Sequence, residues 1–149
     1  KQHDRSFDGT GYEVYDSFQG LSEPQPKDAL EPGADELVAQ SLVAGKFAFS
    51  IERVQQSLSG FPKVTYGPGW IPQAFPKDER QYRFVHVDVD LYQPTRDSLE
   101  YFWPRLVPGG VLVCDDYNWS GAKRAVEEFA AESRAKFSVT PHTQAVIVR

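Results

Sequence analysis

The sequence has no methionine, a single cysteine and only three histidines. One cysteine, Cys114, excludes an internal disulfide framework. It falls in a predicted strand, where a thiol acts as an inert core group. No apolar run is long enough to span a bilayer, and none has the layout of a signal peptide. Basic residues are outnumbered, 16 Lys and Arg against 21 Asp and Glu, giving a net charge of −5. That balance argues against nucleic acid or an anionic membrane as the main partner. Internal repeats and low-complexity tracts are also missing. A cytoplasmic location is the expectation. With no Met and Lys1 in first place, the chain reads as processed or as a fragment. What is present is an ordinary globular composition, 40% hydrophobic and 25% charged over 149 residues. It suits one domain with its own core.

The chain is organised around Arg83–Tyr117, RFVHVDVDLYQPTRDSLEYFWPRLVPGGVLVCDDY. Phe84–Val89 and Val111–Cys114 are short β-branched runs. They predict strands buried on both faces, as in a parallel sheet. Between them, Thr95–Leu106 is an amphipathic helix with Leu99, Phe102, Trp103 and Leu106 on one face. Pro108, Gly109 and Gly110 turn the chain into the second strand. A right-handed βαβ crossover brings both strand C-termini to one sheet edge, where open α/β sheets place their ligands. Asp88 and Asp90 end the first strand; Asp115 and Asp116 end the second. Four carboxylates placed together repel and need a cation, and hard oxygen donors suit Mg²⁺, Ca²⁺ or Mn²⁺. Capping and turn aspartates are the plainer alternative. His86 shares the face of Asp88 and Asp90 and is expected as a satisfied core histidine rather than a ligand.

Upstream, Lys1–Gly11 reads as a loop, and Tyr12–Tyr15 is a strand candidate running into Asp16-Ser17-Phe18-Gln19-Gly20-Leu21. An acid at a strand end can hold ribose hydroxyls in nucleotide-binding folds, or simply make an Asx-turn. Ser22–Asp35, rich in Pro, Asp, Glu and Gly, is a long loop of the kind that forms lids, or else a disordered insertion. Glu36–Phe49 carries no decisive pattern. Ser50–Leu58 is helical with Ser50 as N-cap. Val64–Tyr66 is a short strand before Gly67-Pro68-Gly69-Trp70. There glycine permits close backbone approach, and Trp70 either stacks on a ligand or packs in the core. Downstream, Gly121–Phe137 is a helix burying Ala122, Val126, Phe129 and Ala130. Phe137–Thr140 and Ala145–Arg149 form a closing hairpin with His142 exposed at its tip.

The ordered set DSFQGL, PGW, DVDLYQPTRDSLE and PGGVLVCDDY resembles the macrocin O-methyltransferase family from about Tyr12 to Phe129. The resemblance implies a class I, S-adenosylmethionine-dependent and metal-dependent enzyme acting on hydroxyls of sugars and other natural-product acceptors. It implies a Rossmann-like α/β sheet with a closing antiparallel hairpin. Asp88, Asp115 and Asp116 match the family's metal ligands, for Mg²⁺ or another divalent cation. Asp90 matches the catalytic base. Asp16 matches the ribose-holding acid, and Ser17, Gly69 and Trp70 complete the cofactor-binding candidates. Val89 departs from the glycine expected in the family's DGD.

The family's first strand and its glycine-rich loop have no counterpart before Tyr12. In the class I sheet that strand lies between those represented by YEVY and RFVHVDV. The expectation is therefore a domain incomplete at its N-terminus, poor S-adenosylmethionine binding by this chain alone, and closure of the slot by self-association or by a missing piece. Two alternatives stay open: a DxD-type glycosyltransferase, which does not require Asp115-Asp116, and a degenerate methyltransferase domain serving as a binding module.

Overall fold

The computed structural model describes residues 7–32 and 36–149. Parts of the expected Lys1–Gly11 and Ser22–Asp35 loops lie outside the described residues. The strands are β1 (Glu13–Asp16), β2 (Thr65–Pro68), β3 (Tyr82–Val87), β4 (Leu106–Cys114), β5 (Phe137–Val139) and β6 (Ala145–Val148). The helices are α1 (Glu36–Ser41), α2 (Ile51–Ser57), α3 (Tyr92–Phe102) and α4 (Ser120–Ser133).

The strands form two sheets. β1 and β2 pair in parallel, while the larger sheet runs β3-β4-β6-β5. β3 and β4 are parallel across the α3 crossover, with Phe84 opposite Val111 and Val87 opposite Cys114. β6 runs antiparallel to both β4 and β5, which closes the expected hairpin. This is a Rossmann-like α/β arrangement. Among the described residues no strand stands between β1 and β3.

Side chains span that interval instead. Tyr82 Oη donates to Glu13 Oε2 at 3.4 Å, and Arg80 pairs with Glu13 at 2.6 Å. Phe75 meets Tyr15 edge-on at 5.7 Å, stacks on Tyr101 at 4.5 Å and meets Phe102 at 4.9 Å. The main core lies between the larger sheet and α3 and α4. Leu99, Leu112, Val126 and Ile147 are completely buried there. Each such side chain contributes roughly 1.5–3 kcal/mol by leaving water.

Several boundaries differ from expectation for local reasons. α3 starts at Tyr92, because Pro94 falls in the first turn, where a missing N–H costs nothing. It ends at Phe102, since Pro104 cannot continue the ladder and the chain tightens into a 3₁₀ turn at Trp103–Arg105. β4 begins five residues early, absorbing Pro108-Gly109-Gly110 at a register shift against β3. α4 stops at Ser133 because Arg134 adopts a left-handed conformation. Ser50 caps α2 as expected, its side chain accepting from Arg53 N.

Burial of β3 on both faces is overturned. Val85 and Val87 face the core, but Phe84 is 60% exposed and His86 is exposed with it. The described helices α3 and α4 cover one side of the sheet, so alternate β3 residues meet solvent. His86 is accordingly not a core histidine.

Candidate active site

The acids sit where the chain leaves β3 and β4. Beyond Val87 the backbone folds tightly, with Leu91 N bonded to Val89 O at 2.6 Å. Asp90 is left-handed, with φ of 61°, and Asp116 matches it at 52°. Such conformations strain most residues, but aspartate tolerates them because its short side chain bonds locally. Asp88, Asp90 and Asp116 each bring one carboxylate oxygen to within 4.8 Å of the others.

Burial raises the Asp90 carboxyl to about 7, reinforced by its hydrogen bond to Asp116 and by the charges of Asp116, Asp88 and Asp115. Burial also raises Asp116, while the bond from Asp90 pulls it back down. Of the two, Asp90 is the one pushed further toward the protonated form.

Asp115 goes elsewhere. Its N–H extends the β3–β4 ladder to Val87 O at 2.8 Å, so its side chain follows the strand's alternation onto the open face. There Oδ2 meets His86 Nε2 at 3.3 Å and Gln144 Nε2 at 3.3 Å. The structure thus brings together three of the four expected acids and sets the fourth beside His86.

A cavity of about 840 Å³ opens over the three-acid cluster. Asp88, Asp90 and Asp116 form one wall; Tyr15, Asp16, Ser17 and Trp70 form the other. Asp16 and Trp70 therefore reach the same space from adjacent strand ends, and Trp70 remains 42% exposed. Asp16 also makes the Asx-turn anticipated as its plainer role, with Oδ1 accepting from Phe18 N at 2.7 Å. Gly69 does not line the cavity; its φ of 141° sets the turn that presents Trp70. Phe47 and Trp119 line the cavity as well, as do Leu21, Ser22, Glu23 and Gln25. Neither aromatic carries a periodic or motif signal in the sequence.

The macrocin O-methyltransferase (TylF) family model matches residues 7–143. The chain belongs to this family. Among its relatives is a tetracenomycin rhamnosyl 4′-O-methyltransferase of Streptomyces olivaceus, 30% identical over 78% of this chain and 45% of that one. Mycinamicin III 3″-O-methyltransferase of Micromonospora griseorubida is 32% identical over 78% of this chain and 47% of that protein. The solved O-methyltransferase NovP superposes with a TM-score of 0.74 at 26% identity, covering 92% of this chain and 59% of that one. The calicheamicin methyltransferase CalS11 shares the fold, with a TM-score of 0.71 at 19% identity. The chain spans about half the length of the curated relatives it matches. Membership in the macrocin O-methyltransferase family sets aside the glycosyltransferase alternative.

Proposed function

We propose that this chain carries the metal and proton-transfer centre of an S-adenosylmethionine-dependent O-methyltransferase acting on a hydroxyl of a sugar or other natural-product acceptor. The observation that carries the reading is the cluster of Asp88, Asp90 and Asp116 on one wall of a cavity whose other wall holds Asp16 and Trp70. The donor set fits a hard divalent cation, since hydrogen-bonded acids this close raise one another unless a positive charge is supplied.

When bound, the cation lowers the pKa of a coordinated hydroxyl, and S-adenosylmethionine supplies the methyl group. Asp88, Asp115 and Asp116 would hold the cation. To take that role Asp115 would have to give up its contacts with His86 and Gln144, both 3.3 Å long. Asp90, two residues from Asp88, takes the acceptor proton on its carboxylate. Its burial, which raises its affinity for protons above that of an ordinary carboxylate, suits a general base. Asp16 and Ser17 hold the ribose side of the cofactor, and Trp70 offers its ring face. Tyr15 and Leu21 help keep water out of the cavity.

Calorimetry with S-adenosylmethionine and Mg²⁺, followed by transfer of labelled methyl to glycosylated acceptors, tests the reading. The slot between β1 and β3 predicts weak cofactor binding by residues 1–149, improved by a preceding strand and glycine-rich loop. Mg²⁺ binding without methyl transfer in the extended protein would leave the degenerate binding-module alternative standing.

A further inference from the structure

Helices α3 and α4 begin just after the turns that carry Asp90 and Asp116, and neither caps itself. Their N-cap residues, Leu91 and Trp119, make no side-chain capping bond, and neither first turn contains an acid. A helix start leaves up to four N–H groups without intrahelical acceptors. Here an acceptor arrives from far away in the sequence. Asp28, only 3% exposed, ends the 3₁₀ turn Pro26–Asp28. Its Oδ1 accepts from Tyr92 N at 2.6 Å, and its Oδ2 accepts from Gln25 N at 2.7 Å. The same Oδ1 lies against the start of α4. A Cβ placed on Gly121 would stand 2.3 Å from it and 2.9 Å from Tyr92 N. Two helix starts thus converge on one buried carboxylate, and their partial positive charges offset the cost of burying it.

We infer that Asp28 is a positioning residue: by capping α3 across the chain and seating α4 beside it, it fixes the spacing of Asp90 and Asp116. The inference rests on the reading of those two acids as members of the catalytic centre. Asp90 lies two residues before Tyr92, and Trp119 N is bonded to Asp116 O at 2.7 Å. A shift at either helix start therefore moves one acid relative to the other. Other ties of this segment reach the same helix starts, with Glu31 N donating to Ser120 Oγ at 3.0 Å and Lys27 holding the Tyr92 ring, while Arg124 grips α4 further along. Lys27 Nζ donates to Tyr92 Oη at 2.6 Å and to Glu128 at 3.0 Å, and Arg124 donates to Lys27 O at 2.7 Å. The Arg124 tie, one turn inside α4, provides the control.

The test compares Asp28→Ala, Asp28→Asn, Gly121→Ala and Arg124→Ala by Mg²⁺ calorimetry and by crystal structures. Asp28→Ala is expected to lose about tenfold in Mg²⁺ affinity, the scale of lost outer-shell support, because the released α4 start carries Asp116 away from Asp88. Gly121→Ala should lose as much, because its methyl group displaces the carboxylate. Asp28→Asn keeps an oxygen for Tyr92 N but sets its NH2 against Gln25 N, so it should recover only part of the lost affinity. Arg124→Ala should loosen the segment and lower the melting temperature without changing Mg²⁺ affinity. Equal affinities across all four variants would overturn the inference. If the parent chain binds no Mg²⁺, the metal reading fails separately, and the crystal structures decide. An Asp90–Asp116 pair unmoved in both Asp28→Ala and Gly121→Ala refutes positioning; a pair separated in both supports it.

Discussion

Asp90 and Asp116, delivered by the ends of two neighbouring parallel strands, form a hydrogen-bonded carboxyl pair in which both residues are left-handed. Strain of this kind persists where surrounding structure holds it in place. The α3 and α4 helix starts do that here, and the pair gives the chain a titration of its own.

Folding takes up a proton at Asp90, because its carboxyl is raised from 3.8 to about 7. This contribution to stability is complete below about pH 4 and is lost as pH rises through about 7. Asp8 acts outside that window: its partners Lys63 and Thr10 hold it at about 2, so its contribution is lost only on acidification. Melting temperature in metal-free buffer should therefore fall between pH 4 and 7.5. Saturating Mg²⁺, which favours the ionised acids, should flatten the fall, as should Asp90→Asn. A metal-free profile that is flat or rises over this range would contradict the assignment.

The ligand set makes a sharper demand. Asp115→Asn should weaken Mg²⁺ binding by about the tenfold or more expected for a lost ligand, whereas Asp90→Asn should cut turnover and leave affinity nearly intact. His86→Ala frees Asp115 and should not weaken binding. The reverse ranking, with Asp90→Asn losing the metal and Asp115→Asn keeping it, would make Asp88, Asp90 and Asp116 the ligands.

Two phenylalanines separate core from open face. Phe102 is 6% exposed amid Phe75, Tyr82 and Tyr101, and truncation to alanine should cost about 3–5 kcal/mol in urea unfolding. Phe84 is 60% exposed, and the same truncation should stay within about 0.5 kcal/mol. Similar losses at both positions would mean that β3 is covered on both sides in solution.

Cys114 is buried, and burial with the nearby Asp115 charge pushes its thiol up to about 12. A thiol reagent near pH 8 should label it only at the rate of unfolding. Rapid stoichiometric labelling of the native chain would show that this strand end opens.

Much of the architecture is legible in the sequence because the signals are local. Short β-branched runs, the 3.6-residue stripe of α3 and the turn residues each specify their own element. The acids could be assigned to strand ends for the same reason. Asp115 and Asp116 diverge because one continues the ladder and the other turns left-handed, and adjacency in sequence conceals that. Asp28 was illegible for a different reason: its partner Tyr92 lies 64 residues away, and nothing in PKD marks a cap for a distant helix. The exposure of Phe84 was hidden because a β-branched run records the preference for a strand, not how many faces are covered.

The split between the two sheets has a consequence for cooperativity. Among the described residues no backbone ladder connects β1–β2 with β3–β6, and a two-stranded pair on its own is marginal in water. The wall bearing Asp16 and Trp70 can therefore open as a separate unit while the wall bearing the acid cluster stays closed. Amide exchange at Val14 and Tyr66 should outpace exchange at Val85 and Leu112. A ligand spanning the cavity would join the two walls, so its binding would register as the merging of two unfolding events into one.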